Sequence, residues 1–185
     1  MNRKPWRTGD IRVGALLAAA VLGAAGCGGG VSAQFDRNPS VPIPAGASYA
    51  WGPSSPGEDP RAQNPAVQGR IRRAVDAVLA QRGFRQGTPG AADFLVEYRL
   101  GLRDQTMRIQ QALAVCTTPG IACTPTGGPV TDIDYTEGKL VIDLVQPSTG
   151  QVAYRGTGQA VVKPGSPRSD AELQEAIAKI LQGLP

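Results

Sequence analysis

Apolar positions along this chain recur with two periods, and the change from one to the other marks its elements. Val67, Ile71, Val75, Val78 and Leu79 return at three- and four-residue intervals, while Arg70, Arg72, Arg73, Asp76 and Arg82 fall mostly elsewhere, so an amphipathic helix is predicted. Asn64 and Pro65 supply an N-cap and a proline at the first helical position, and Gly83 ends the element. The period then drops to two in "ADFLVEYRLGLRDQ". Phe94, Val96, Tyr98, Leu100 and Leu102 point one way, and Glu97, Arg99 and Arg103 the other, as a half-buried strand requires. Alternation weakens through "TMRIQQALAV", and the Gly/Pro-rich stretch from Thr117 to Val130 reads as a loop.

A hairpin is predicted in "GKLVIDLVQPSTGQVAYRGTGQAVV". Leu140, Ile142 and Leu144 share one face, "PSTG" turns the chain, and Val152 and Tyr154 return. Gly156 and Gly158 in the return strand imply a bulge or a close backbone approach. Ser169 and Glu172 form a capping box ahead of a stripe of Leu173, Ile177, Ile180, Leu181 and Leu184. A short strand at "ASYAWG" carries Tyr49 and Trp51. Two one-sided helices and a one-sided sheet predict an α+β two-layer sandwich, with a largely antiparallel four-stranded sheet, two helices on one face and the order β-α-β-β-β-α.

Ahead of these elements the pattern is that of export. Arg3, Lys4, Arg7 and Arg12 precede an uncharged run from Val13 to Gly26, too short to cross a bilayer comfortably as a helix. Ala24, Ala25 and Gly26 lead into Cys27, and this resembles the lipobox of bacterial lipoproteins, with Ala24 standing where that motif usually has leucine. The resemblance implies cleavage after residue 26 and acylation of Cys27, and the aspartate that retains such proteins at the inner membrane is replaced by Gly28. A lipid-anchored protein of the outer membrane, facing the periplasm, is therefore expected. Residues 27–47, rich in Gly, Pro and Ser, read as the lipidated terminus and a flexible linker, and 48–185 as a single domain.

Composition narrows the chemistry. The formal charge of +4 falls to near neutral once the basic leader is removed, so nucleic acid is not implied as a partner. Histidine is absent, which removes the commonest general base and metal ligand. With Cys27 assigned to lipid, Cys116 and Cys123 remain as an even pair for one disulfide in an oxidising compartment.

Several pieces together, "YAW", "RGF", "DFLVEYRLGLRD", "YTEGKLVIDLVQPSTGQVAYRGTGQA" and the closing "ILQGLP", resemble the bacterial lipoprotein family catalogued as domain of unknown function 4136. Gln146 and Tyr154 stand where that family often has aspartate and tryptophan. The resemblance implies a lipid-anchored periplasmic domain and lends no catalytic residue.

The expected function is that of a binding or structural module working through the membrane and a protein, glycan or lipid partner, with no cofactor, and an exposed apolar or aromatic patch, including Trp51 or Tyr154, would mark it. The alternative is a carboxylate- or metal-dependent periplasmic hydrolase, and its candidates are Glu97 with Asp143, or Asp132, Asp134 and Glu137 as a hard-cation loop. Against it, Glu97 and Asp143 have Arg99, Arg103 and Lys139 as cross-strand partners, the acidic run lacks the further ligands of a calcium loop, and Arg70, Arg72 and Arg73 read as a solvated helix face.

Overall fold

The computed structural model describes residues 30–118, 121–162 and 168–185, with 113–118 and 121–126 described through their backbone alone. The leader, Cys27 and the 163–167 connection lie outside the described residues. In chain order the elements are β1 (Ser32–Arg37), β2 (Ser48–Trp51), β3 (Ser55–Pro56), α1 (Pro60–Gln63), α2 (Pro65–Gln81), β4 (Arg85–Gln86), β5 (Phe94–Thr118), β6 (Ile121–Val145), β7 (Val152–Val162) and α3 (Asp170–Ile180).

The caps form as the sequence predicts. The Asn64 side chain accepts from the Ala66 N–H at 2.9 Å, with Pro65 opening α2. At α3 the Ser169 hydroxyl accepts from the Glu172 N–H at 3.2 Å while Glu172 accepts from the Ser169 N–H at 2.8 Å, which satisfies two orphan donors reciprocally. Gly83 takes φ +82, the left-handed conformation that lets the chain leave α2 without a Cβ clash.

The sheet corrects the expected architecture. Among the described residues its order is β1-β7-β6-β5-β2-β4 with β3 beside β5, seven strands in place of four, and three helices in place of two. It is also mixed: β5, β6, β7 and β1 pair antiparallel, whereas β2 and β3 run parallel to β5, and β4 parallel to β2. The parallel part arises because α2 carries the chain from β2 over to β4, a crossover that only parallel neighbours need. The missed strands have physical reasons. β3 and β4 are two residues long, too short for a period to show. β1 lies within residues 27–47, read as linker; it is an edge strand exposed along most of its length, so no apolar alternation was required of it. Val41 and Ile43, farther along the same stretch, are buried in the core.

The described residues between Thr117 and Val130 are strand, not the expected loop. β5 and β6 continue as one antiparallel hairpin out to Thr118 opposite Ile121, with a register shift between Gln110 and Ala112. One face of the sheet's central part is covered by α2 and α3. Ile71, Val75, Val78 and Leu79 of α2 and Ile177 and Ile180 of α3 close a core with Phe94, Val96, Tyr98, Ile142, Leu144 and Tyr154. Gly156 and Gly158 allow α3 to lie directly on β7: a Cβ on Gly156 would stand 2.5 Å from the Ile180 carbonyl oxygen. The close backbone approach expected of these glycines is thus formed, and the Tyr154 hydroxyl donates to the same carbonyl at 2.6 Å.

Candidate functional site

Where α2 and α3 diverge above the distal end of the packed sheet, a cavity of about 420 Å³ opens. Its walls are apolar: Val67 and Ile71 from α2, Leu100 and Leu140 from the sheet, and Leu173 and Ile180 from α3. The positions follow from the two periods. The apolar stripes of both helices face the alternating residues of β5 and β6, and a rigid two-layer frame holds the groove between them. Its volume lies in the range of small-molecule sites, about 300–1,000 Å³.

Arg61, Arg70 and Arg168 stand at its rim, yet the rim is not a cationic ring. Arg61 pairs with Asp59 at 2.6 Å and with Asp104 at 3.1 Å, and Arg70 with Asp170 at 2.6 Å. Arg70 also donates to the Arg168 carbonyl, and Arg168 to that of Val161 at 3.3 Å. The Thr136 hydroxyl and Arg61 hold the Asp104 carboxyl below the usual carboxylate range. Two of the three guanidinium groups therefore meet three carboxylates and the third donates to a main-chain carbonyl, so selection for a negatively charged ligand is weak.

On the opposite, bare face of the sheet, the register sets Glu97 directly against Asp143, which in turn faces Arg155. Asp143 is 3% exposed. Arg99 donates to it at 2.8 Å and Arg155 at 2.7 and 2.9 Å. The expected cross-strand pairing with Arg99 is formed, while Arg103 and Lys139 face other partners in the register, Glu137 and, across β5 and β7, Gly101 and Gln159. A carboxylate that accepts from guanidinium groups on both neighbouring strands ties β5, β6 and β7 together. Sequence reading missed Arg155. The only signal for it was its place on the return strand of the hairpin, and the turn register had to be known to use it.

The acidic run is divided by the strand it lies on. Asp132 and Asp134 share one face, where Arg108 donates to the first at 2.8 Å and the Thr106 hydroxyl to the second at 2.7 Å. Glu137, an odd number of residues away, faces the other side opposite Arg103. Among the described residues no cluster of three acidic or thiol groups is arranged to hold a metal ion.

The aromatic patch is also redistributed. Tyr154 is buried under α3 and stacks on Phe35 at 6.0 Å, and burial pushes its hydroxyl up to about 12. Trp51 is partly covered by Arg72, 5.0 Å above its ring, and its Nε1 donates to Asp76 at 3.1 Å. The Tyr49 hydroxyl donates to the same Asp76 oxygen at 2.8 Å, so β2 is tied to α2 through one carboxylate. Two of the three arginines of α2 are engaged rather than simply solvated: Arg70 reaches α3, and Arg72 lies over Trp51 and near Ser54. Cys116 stands opposite Cys123 in the hairpin register. No described helix is long and apolar enough to cross a membrane.

No curated protein sequence matches the chain. Among solved structures it is similar to a PelC dodecamer from Paraburkholderia phytofirmans, at 12% identity and TM-score 0.48, covering 82% of this chain and 94% of that one. It is also similar to a PDZ domain protein from Parabacteroides distasonis ATCC 8503, at 8% identity and TM-score 0.42, covering 82% of this chain and 35% of that one. At these scores and identities neither likeness assigns an activity or an assembly. The family model described as Domain of unknown function (DUF4136) matches residues 31–185, and the chain belongs to that family.

Proposed function

We propose that this DUF4136 member is a non-enzymatic binding module of the bacterial envelope, tethered to the periplasmic side of the outer membrane by acyl chains on Cys27, whose groove takes a single apolar chain of the acyl type. The observation that carries the reading is the groove itself, about 420 Å³ and walled by aliphatic side chains from both helices and the sheet. Apolar surface removed from water on filling it contributes roughly 25 cal/mol per Å². The rim's balanced ion pairs leave the head group's charge nearly indifferent. The apolar run ending at Cys27 supports the tether. The opposed positions of Cys116 and Cys123 support the expected disulfide, because directly opposite residues of an antiparallel pair have Cα atoms about 4.5–5.5 Å apart, inside the disulfide range.

Titration of the full chain with a fluorescent fatty acid tests the groove, with the neutral monoacylglycerol of the same chain length as competitor. Saturable binding, similar displacement by the neutral lipid, and at least about tenfold weaker binding by Val67→Arg at unchanged melting temperature are expected. Binding that Val67→Arg leaves intact, or none at all, refutes the groove. Intact-mass measurement of protein from native membranes, with Cys27→Ser and with alkylation before and after reduction, tests the tether and the disulfide.

A further inference from the structure

Four of the six large apolar side chains that stand exposed among the described residues, Met107, Ile109, Val130 and Ile133, sit on the distal half of the β5–β6 hairpin. Among the described residues no third strand flanks this arm: β7 pairs with β6 only as far as Thr136, and β3 with β5 only as far as Leu100. Side-chain parity sorts the arm into two faces. Met107 opposes Ile133 and Ile109 opposes Thr131 on one, whereas the other carries the Arg108–Asp132 and Thr106–Asp134 pairs. A two-stranded ribbon is marginal alone in water, and its unpaired edges are templates for another strand.

The two edges are not equivalent. Pro125 and Pro129 interrupt β6, each removing a main-chain donor, while β5 has no proline from Phe94 to Thr118. The Gly52 N–H donates to the Val96 carbonyl at 2.9 Å and the Gly57 N–H to that of Leu100 at 2.8 Å, so even-numbered residues of β5 direct their main-chain groups away from β6. By the same alternation Asp104, Thr106 and Arg108 present theirs at the open edge.

We infer that a second copy of this chain covers that edge, the two β5 strands pairing antiparallel about a two-fold axis at Thr106. This register brings outward-directed main-chain groups together at every second residue. It also sets Asp104 against the partner's Arg108, and Arg108 against the partner's Asp104; the Asp104 carboxylate already accepts from Arg61 and Thr136 but stays mostly exposed, and opposite charges facing each other across strands stabilise where like charges destabilise. Within its own chain Arg108 holds Asp132 through Nε and Nη2, so its Nη1 takes no part in that pair. A closed two-fold uses the open edge of both copies and leaves the proline-bearing edges outside. A lipid bilayer is the poorer occupant. The absence of charge from Ile109 to Thr131 suits it, but a lone ribbon would carry unpaired main-chain groups into hydrocarbon.

Sedimentation velocity of the full chain in mild detergent, across micromolar concentrations, tests the inference. The wild type should be dimeric, and Asp104→Arg and Arg108→Asp should each dissociate with a constant at least about tenfold higher. An equimolar mixture of the two variants should restore the dimer, because the heteropair again sets unlike charges opposite; misfolding of either variant cannot produce that rescue. A monomeric wild type, single variants that dimerise as tightly as the wild type, or a mixture that stays monomeric overturns the inference. Should the wild type be monomeric, and the Cys27→Ser protein, which cannot carry the acyl anchor, still float with zwitterionic phosphatidylcholine vesicles, the arm is a lipid contact instead.

Discussion

From Leu95 to Leu102, and across to Gly138 and Val145, the β5–β6 hairpin is the centre of the molecule; from Gln105 to Tyr135 the same two strands stay antiparallel, with one register shift between Gln110 and Ala112, and among the described residues carry no covering layer. The two halves share backbone pairing and differ in what lies over them. Ile142, beneath the helices, is fully buried, and Met107, farther along the partner strand, is 48% exposed. Hydrogen bonds exchanged with water for hydrogen bonds with a neighbouring strand contribute little net stability, whereas apolar area removed from water contributes steadily with its extent. The proximal half holds the fold together, and the distal half is left as surface for interaction.

The comparison is sharpened most by Ile142→Ala, which should cost about 2–5 kcal/mol in equilibrium urea unfolding by deleting a fully buried side chain in a packed layer. Next, Gly156→Ala should cost about 1–3 kcal/mol, because the new methyl would meet the Ile180 carbonyl oxygen at 2.5 Å and α3 would have to shift. A melting temperature equal to the wild type's would show that α3 does not rest on β7. On the bare face Asp143→Asn should cost about 1–2 kcal/mol, since two half-exposed guanidinium groups lose their charged acceptor and remain partly solvated. Smallest is Met107→Ala on the arm, within about 0.5 kcal/mol by the same urea measurement. A loss there as large as that of Ile142→Ala would erase the distinction between the halves.

The legible parts of the sequence are those where a second layer imposed a period. Phe94 to Leu102 alternates almost without error, Leu95 being the exception, because the alternate residues face the layer of α2 and α3, and both of these helices announced themselves through stripes and caps. Past Gln105 no layer remains among the described residues, alternation loses its cause, and a strand reads as a loop. The edge strand β1 vanished into a presumed linker for the same reason. The site residues divide likewise. Glu97 and Asp143 could be set on the wet face by parity, but the pairing of Arg155 with Asp143 needed the register. Tyr154 shows the limit most sharply: its alternation was read correctly, yet its burial depended on α3 lying across Gly156, far away in the chain.

The sequence by itself determined the two helices with their caps, the central alternating strands, the turn at "PSTG" and the need for a close approach at Gly156 and Gly158, since these follow from local conformational preference and one-sided burial. Only the tertiary structure decided that β2 and β3 run parallel beside β5 and β4 beside β2, that the hairpin continues as a bare arm, and that a groove opens between the helices and the sheet. Strand order and cavities depend on which distant surfaces meet, and a periodic pattern states that a face must be buried without stating what will bury it.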